Sequence, residues 1–126
     1  TEDPIFLTTY SASGTKNTLF QLPLANEYKI IDVINNQALV YTAEAKTMYF
    51  FTLDNQNFNN TSHFIYNVGQ WEINTEKNTM LLHNTWEIWT YNIESQKSML
   101  ITRVSKPIKS IHWYLDNNYI MVNFKK

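Results

Sequence analysis

Three histidines are the first residues in this chain whose chemistry suggests a site. They are His63, His83 and His112, and each lies alone in a different apolar segment. A zinc site needs three or four ligands, usually with two of them close together on one strand. Because these histidines lack such spacing, the sequence predicts no metal site.

The carboxylates are the second set of residues that could do chemistry. Asp32 follows an apolar run, while Asp54, Glu94 and Asp116 lie in polar segments between such runs. Side-chain hydrogen bonds to the turn backbone are the ordinary role of acidic residues in such segments. Two of them facing each other across a central channel would make a glycosidase pair, but their spacing does not indicate one.

Glycine and cysteine usage limits catalysis further. Gly14 and Gly69 are the only glycines, so the chain has no G-x-S-x-G elbow and no glycine-rich phosphate loop. The absence of cysteine excludes thiolate nucleophiles, thiolate metal sites and disulfides. The sequence therefore predicts a protein that is not an enzyme, with no catalytic residue and no cofactor.

Aromatic residues are concentrated in WEIWTYNIE at 86–94, where Trp86, Trp89 and Tyr91 fall within six positions. Such rings either stack on a sugar or base or pack in a strand that is covered on both faces. Packing is the interpretation we favour, and it extends to Trp71 and Trp113. Trp86 is nearest to the preceding turn and is the best candidate for a ligand contact.

The composition fits one globular domain. The chain has 126 residues, of which 44% are hydrophobic and 17% charged. Its net charge of −1 does not resemble the basic surface of a nucleic-acid binder. No apolar run approaches the roughly 18 residues that cross a bilayer, so we expect no membrane insertion by this segment. The first residue is Thr1, which favours a processed form or a piece of a longer chain.

Short apolar runs, rich in β-branched and aromatic residues and separated by polar clusters, extend along the whole chain. This pattern is typical of strands, and no window has a sustained helical period. Twelve strands are predicted, at 5–10, 18–22, 28–33, 38–42, 47–53, 63–67, 70–73, 79–83, 87–92, 98–103, 110–114 and 119–124. The sequence therefore predicts an antiparallel all-β fold.

The strands also repeat. YFFTLDN at 49–55 lies forty positions before WTYNIES at 89–95, and each is an aromatic strand that enters a polar turn. A unit of about forty residues with four antiparallel strands is typical of a β-propeller blade. The predicted segments are a half blade at 1–24, blades at 25–67 and 68–106, and a half blade at 107–126.

Three blade equivalents are too few for a ring of four to eight blades. We therefore expect either a segment of a larger propeller, whose remaining blades complete the ring, or a homo-oligomer. Two copies would supply six blades, with each half blade completed by its neighbour.

Three stretches resemble a known family: WEIWTYN at 86–92, LITRVSKPI at 100–108 and HWYLDNNYI at 112–120. They are similar to the WD40-like/TolB-like propellers that accompany PEGA domains in bacterial surface proteins. That family reads EIW-x-Y-D, LLTR-x-S-x-PI and W-x-P-D-x-x-Y-I, whereas here Asn92 replaces the aspartate and Leu115 the proline. The resemblance implies a contact-making propeller outside a bacterial cell, without catalytic residues.

The function predicted is that of a non-catalytic interaction or scaffolding module that binds a protein partner through its loops. The expected contact residues are Trp86, Asn84, Tyr91, Lys106 and Lys109, and the expected structural residues are Arg103, Trp71, Trp89 and Trp113. Arg103, the only arginine, is expected to bond to a backbone or carboxylate group of a neighbouring blade. The alternatives are the propeller segment of a larger, prolyl-oligopeptidase-like hydrolase and an oligomeric glycan-binding propeller.

Overall fold

The computed structural model describes residues 5–23, 25, 27–53, 62–74, 76, 78–114 and 119–126. These residues form twelve strands: β1 (Ile5–Tyr10), β2 (Lys16–Leu22), β3 (Lys29–Ile34), β4 (Gln37–Thr42), β5 (Thr47–Thr52), β6 (Ser62–Ile65), β7 (Gln70–Asn74), β8 (Thr79–His83), β9 (Glu87–Asn92), β10 (Lys97–Arg103), β11 (Ile108–Tyr114) and β12 (Tyr119–Phe124). Within this part of the chain there is no helix. The predicted all-β class is confirmed.

Each strand pairs antiparallel with the next one in its sheet. The order β3-β4-β5-β6 makes one four-stranded sheet and β7-β8-β9-β10 a second, while β1-β2 and β11-β12 are two-stranded hairpins. The predicted strands agree with the observed ones to within two residues. The prediction for β6 extends two residues too far, because Asn67 takes a left-handed φ of 57° and the chain turns there.

Asparagine supplies several of the turns. Asn35 and Asn36 have φ values of 49° and 59° between β3 and β4. A two-residue loop with both φ values positive matches the right-handed twist of the strands that it joins. Asn78, directly before β8, also has a positive φ, of 51°. Asparagine tolerates this conformation better than most residues, which explains how a chain with two glycines forms so many tight turns.

The four sheets pack in the order β1–β2, β3–β6, β7–β10 and β11–β12. The central core lies between the two four-stranded sheets and consists of Leu39, Met48, Phe50, Val68, Met80, Leu82, Tyr91 and Ile93. A second cluster joins β1–β2 to β4 and β5, through Leu7, Leu22, Ala38, Val40 and Phe51. A third joins β7–β10 to β11–β12, through Leu81, Ile88, Ile108 and Ile111. The inner strands are therefore covered on both faces.

Backbone hydrogen bonds tie the turns together at one end of the stack. The N–H of Val68 donates to the carbonyl of Lys46 at 2.8 Å, and that of Gly69 donates to His83 at 2.8 Å. The N–H of Ile108 donates to the carbonyl of Thr85 at 2.8 Å. We call this end, formed by residues 43–46, 67–69, 84–86 and 104–107, the loop end. Its backbone is fixed by the sheets on which it lies.

Candidate functional site

A cavity of about 690 Å³ opens at the loop end. Its lining comes from several turns and strand ends, and the polar and charged members are Lys46, Asn67, Gln70, His83, Asn84, Thr85, Glu87, Arg103, Lys109 and Lys125, joined by Gly69, Trp86 and Ile108. Four of these residues are cations and one is a carboxylate. The cavity is therefore positively charged, although the chain as a whole carries −1.

Asn84 shapes the turn that carries Trp86. Its Oδ1 accepts the backbone N–H of Trp86 at 2.9 Å and that of Glu87 at 2.8 Å. Its Nδ2 donates to Glu87 Oε1 at 3.2 Å. A side-chain amide that binds the backbone two and three residues ahead holds a turn in one conformation. Trp86 is thereby presented at the cavity with 49% of its surface exposed.

Glu87 and Arg103 form the ion pair of the cavity. They are opposite one another on β9 and β10, and Arg103 Nε donates to Glu87 Oε2 at 2.7 Å. This hydrogen bond, followed by the one from Asn84, holds the pKa of the Glu87 carboxyl below its ordinary value. The arginine was expected to reach a neighbouring blade, but its partner lies in its own sheet because a cross-strand neighbour is closer. The rest of its guanidinium group faces solvent.

The cavity lysines differ from Arg103. Lys46, Lys109 and Lys125 have no carboxylate within ion-pair distance among the described residues. Their charges are left to act on whatever enters the cavity, since nearby unpaired charges of one sign add in a concave site. Of the two lysines predicted as contacts, Lys109 lines the cavity, while Lys106 is exposed in the adjoining turn and does not line it.

His83 lies at the cavity wall with both ring nitrogens engaged. Nδ1 is 2.9 Å from the carbonyl oxygen of Asn84, and Nε2 is 3.1 Å from Gln70 Oε1. The residue is buried, so these bonds hold the ring as part of the wall. His112 Nδ1 lies 3.7 Å from Glu72 Oε2, and the His63 ring packs beside the Phe50 ring. Within the described ranges, no three histidine or acidic residues gather closely enough to hold a metal ion.

Tyr91 requires a correction. The sequence analysis predicts Tyr91 as a contact residue, but its side chain is fully buried in the central core. Its ring stacks on Phe50 with centroids 3.9 Å apart, and its hydroxyl donates to Gln37 Oε1 at 3.1 Å. Burial raises the pKa of the phenol from 10.0 to about 12. No partner at the surface can touch this ring, because Tyr91 faces the next sheet instead of solvent.

The three remaining tryptophans lie against apolar clusters. Trp71 packs on Tyr41 with ring centroids 4.5 Å apart, and Trp89 also borders the central core. Trp113 borders the third cluster, and its backbone N–H donates to Glu72 Oε2 at 2.8 Å. Trp86 thus differs from the other tryptophans, since it is the one that lines the cavity.

Several cavity residues were missed by the sequence analysis. Lys46, Asn67 and Lys125 lie far apart in the chain and meet only where the turns of different sheets converge. Of these, Lys46 carries a local signal, because it ends a polar turn between two predicted strands. The sequence pattern specifies that turn without specifying which other turns are its neighbours.

No helix in the described part of the chain has the length and apolarity needed to span a membrane. Comparisons with protein-family models, with curated proteins and with solved structures found no match. The family resemblance drawn from residues 86–120 therefore remains a prediction.

Proposed function

We propose that this chain is a non-catalytic interaction module of the β-propeller type, whose loop end binds an acidic segment of a protein partner. Two four-stranded meanders packed face to face, each drawn from one repeat of about forty residues, support the propeller arrangement. In that arrangement the blades are 25–67 and 68–106, with half blades on either side. The family resemblance adds the outer surface of a bacterial cell as the proposed location.

The positively charged cavity is the observation that carries this proposal. Four cations stand around one carboxylate, and that carboxylate is already paired with Arg103. An anionic ligand would therefore meet Lys46, Lys109 and Lys125 without displacing an existing ion pair. Arg103 has further N–H groups beyond the Nε that Glu87 uses, and these can receive a second carboxylate.

Trp86 supports a peptide as the ligand. Its half-exposed ring offers an apolar surface beside the cations, so an extended chain can place acidic groups on the lysines and an apolar group on the indole. Aromatic residues that are fixed before binding lose little conformational entropy when they are covered. The Asn84 turn fixes the backbone that carries the ring. Recognition would thus combine charge attraction with one aromatic anchor.

A peptide array tests the proposal. The chain is applied to arrayed peptides that are acidic, neutral or basic, and affinities for the bound peptides are measured by fluorescence anisotropy. We expect acidic peptides with one apolar residue to be selected, and Lys109→Glu or Trp86→Ala to weaken them by about tenfold or more. Salt should weaken binding as well, since charges at an open cavity are screened.

The matched control is Lys97→Glu. Lys97 begins β10 opposite Asn92, at the other end of the strand from Arg103, so the same charge change occurs far from the cavity. Its affinity should remain within about twofold of wild type, because a distant surface charge is screened. Selection of basic or neutral peptides, or equal losses for Lys97→Glu and Lys109→Glu, would overturn the proposal.

One observation favours a second candidate, a glycan ligand. Trp86 stands beside the amides of Asn84, Gln70 and Asn67, and an exposed ring with neighbouring amides suits a sugar face and its hydroxyls. A glycan array separates the two candidates. Binding there that is lost in Trp86→Ala but retained in Lys109→Glu would favour the glycan.

A further inference from the structure

The two ends of the sheet stack are half sheets. β1 and β2 at one end, and β11 and β12 at the other, are two-stranded, whereas the sheets between them have four strands. Among the described strands, β1 is hydrogen-bonded to β2 alone and β12 to β11 alone. Each end therefore presents an open strand edge, which natural proteins normally cover or pair.

The hairpin β1–β2 covers only half of the sheet beneath it. It packs on β4 and β5 and leaves the same face of β3 open. Ile30 and Val33 are opposite Val40 and Ala38, so they share the face that packs on the hairpin. They are nevertheless 59% and 56% exposed. A second hairpin beside β1–β2 is what would cover them.

The other end shows the reverse arrangement. The hairpin β11–β12 contacts β7 and β8 and covers Ile88 on β9, but it leaves β10 uncovered on that face. Met99 is opposite Thr90, on the face that Ile88 shares, and is 60% exposed. Ile101, at the neighbouring bulge, is 40% exposed. The pair of strands missing here corresponds to β1–β2, just as the pair missing at the first end corresponds to β11–β12.

The outward faces of the two hairpins carry exposed apolar residues as well. Phe6 and Tyr10 on β1 are 47% and 66% exposed. Tyr114, Tyr119 and Met121 on β11 and β12 are 47%, 61% and 51% exposed. Large apolar residues are thus exposed on the uncovered parts of the stack as well as on the hairpins that could cover them.

We propose that a second copy of this chain fills both ends, with β12 of one copy pairing antiparallel with β1 of the other. The two hairpins then form one four-stranded sheet, in the order β11-β12-β1-β2. Tyr119 and Met121 pack toward Ile30 and Val33 of the second copy. Its Phe6 and Tyr10 pack toward Met99 and Ile101 of the first. Each exposed apolar group acquires an apolar neighbour.

The repeat defines the register of this pairing. TTYSASGTK at 8–16 aligns with WTYNIESQK at 89–97, which matches Tyr10 to Tyr91. The last pairs before the turns, Asn74 with Thr79 and Tyr114 with Tyr119, align β12 with β8. Leu81 is opposite Thr90 in the four-stranded sheet. Met121 of one copy should therefore lie opposite Thr9 of the other.

The number of copies follows from ring closure. One chain carries three sheet equivalents, and propellers close with four to eight. In a ring built from this 126-residue chain alone, two copies give six sheets, whereas one gives three and three give nine. Two is thus the only number of copies within the range. This inference rests on the propeller arrangement proposed above, but not on the ligand of the cavity.

Engineered cysteines test the register directly, because the natural chain has none. The double variant Thr9→Cys, Met121→Cys should form disulfide-linked dimers under mild oxidation, since antiparallel neighbours lie within bonding reach. Met121→Cys alone should not, because a head-to-tail pairing never brings two copies of that position together. The control Tyr66→Cys, Met121→Cys should also stay unlinked, because Tyr66 follows β6, away from both ends of the stack, although it is 65% exposed. Equal linking in all three would overturn the proposal.

Solution mass tests the assembly. Sedimentation at roughly 0.1 mM should give twice the chain mass of 14.9 kDa. Tyr119→Lys, Met121→Lys should raise the dimer dissociation constant by about 100-fold or more, while its circular dichroism stays that of the folded chain because both positions are exposed. Phe64→Lys, at a β6 residue that is 45% exposed and outside both ends, should remain dimeric.

A wild-type chain that is folded and monomeric at this concentration overturns the second copy as the occupant. The sheets that cover the ends would then belong to a longer polypeptide. If that monomer still selects acidic peptides at the cavity, the proposed function stands while this inference fails. If the dimer forms and no peptide binds, this inference stands while the proposed function fails.

Discussion

Tyr91 and Tyr10 occupy matching positions in two strands that run into similar sequences, WTYNIESQK and TTYSASGTK. Tyr91 is fully buried, with its ring on Phe50 and its hydroxyl on Gln37. Tyr10 is 66% exposed. Both strands carry Thr-Tyr at this point and then enter a polar turn, so the difference in burial comes from what stands opposite each strand. Burial in this fold is thus a property of the neighbouring sheet more than of the strand itself.

The largest expected effect is on core stability. Phe50→Ala should lower the free energy of unfolding by about 3–5 kcal/mol, because it leaves a cavity between the two four-stranded sheets. Phe6→Ala, at a residue 47% exposed, should cost under about 1 kcal/mol in the monomer. Urea unfolding at low protein concentration measures both.

Raising the protein concentration sharpens this contrast. If the ends are paired in a dimer, the cost of Phe6→Ala should grow with concentration, since assembly stabilises the folded state by mass action. The cost of Phe50→Ala should not change with concentration, because this ring is covered within one chain. Equal costs for the two variants at low concentration would contradict the distinction between covered and open sheets.

Alkaline pH should lower the stability of the folded chain because Tyr91 is buried. Between pH 10 and 12 the unfolded chain loses the phenolic proton while the folded chain keeps it, because the folded pKa is about 12. The unfolded state then binds fewer protons, so stability falls as the pH rises, by about 2 kcal/mol across this window. Urea unfolding at a series of pH values measures this fall.

Tyr91→Phe is the control for the pH dependence. The variant should lose the Tyr91 part of the alkaline fall, while the fall that remains comes from Tyr28, Tyr41 and Tyr49, whose pKa values burial also raises. A pH profile unchanged by the substitution would show that Tyr91 ionises as freely in the folded chain as in the unfolded one.

Removing the single hydroxyl has a smaller effect at neutral pH. Tyr91→Phe should cost about 1–2 kcal/mol, because the hydrogen bond to buried Gln37 Oε1 is lost. Tyr10→Phe should change the stability by less than about 0.5 kcal/mol. Thermal and urea unfolding at pH 7 compare the two, and a larger loss at Tyr10 would reverse the assignment of the covered strand.

The smallest expected effect is at the cavity. Trp86→Ala should leave the free energy of unfolding within about 0.5 kcal/mol of wild type, since half of the ring is already in water. Trp89→Ala should cost clearly more, because its ring borders the central core. Denaturation curves for this pair, three residues apart in one strand region, compare exposed and packed indole directly.

Strand positions could be predicted from the sequence because turn chemistry and alternation are local. Asn35 and Asn36 mark a tight turn in the sequence, and the structure has one there. The bounds of β1, β8, β9 and β12 match the predicted ones. A strand of aromatic and β-branched residues is recognisable whichever face it buries.

The site was less predictable for a reason that Tyr91 illustrates. Alternation puts Trp86 and Trp89 on particular sides of a strand, but it does not say which side another sheet covers. The cavity depends on turns from different sheets, so Lys46 and Lys125 could be placed beside Trp86 only by the fold. The burial of Gln37 was missed too. A polar residue directly after Asn36 indicates a turn, whereas this side chain is buried.

Gln37 has a consequence for how the two central sheets are aligned. Its Nε2 donates to the carbonyl of Ile93 and its Oε1 accepts the Tyr91 hydroxyl, across an interface whose core is apolar. Apolar contacts have no preferred direction, so they orient one sheet on the other less strictly than hydrogen bonds do. A buried amide loses its bonds as soon as the sheets shift. The Gln37 side chain therefore helps to fix the angle between the two sheets. It thereby also helps to fix the relative positions of the turns that surround the cavity.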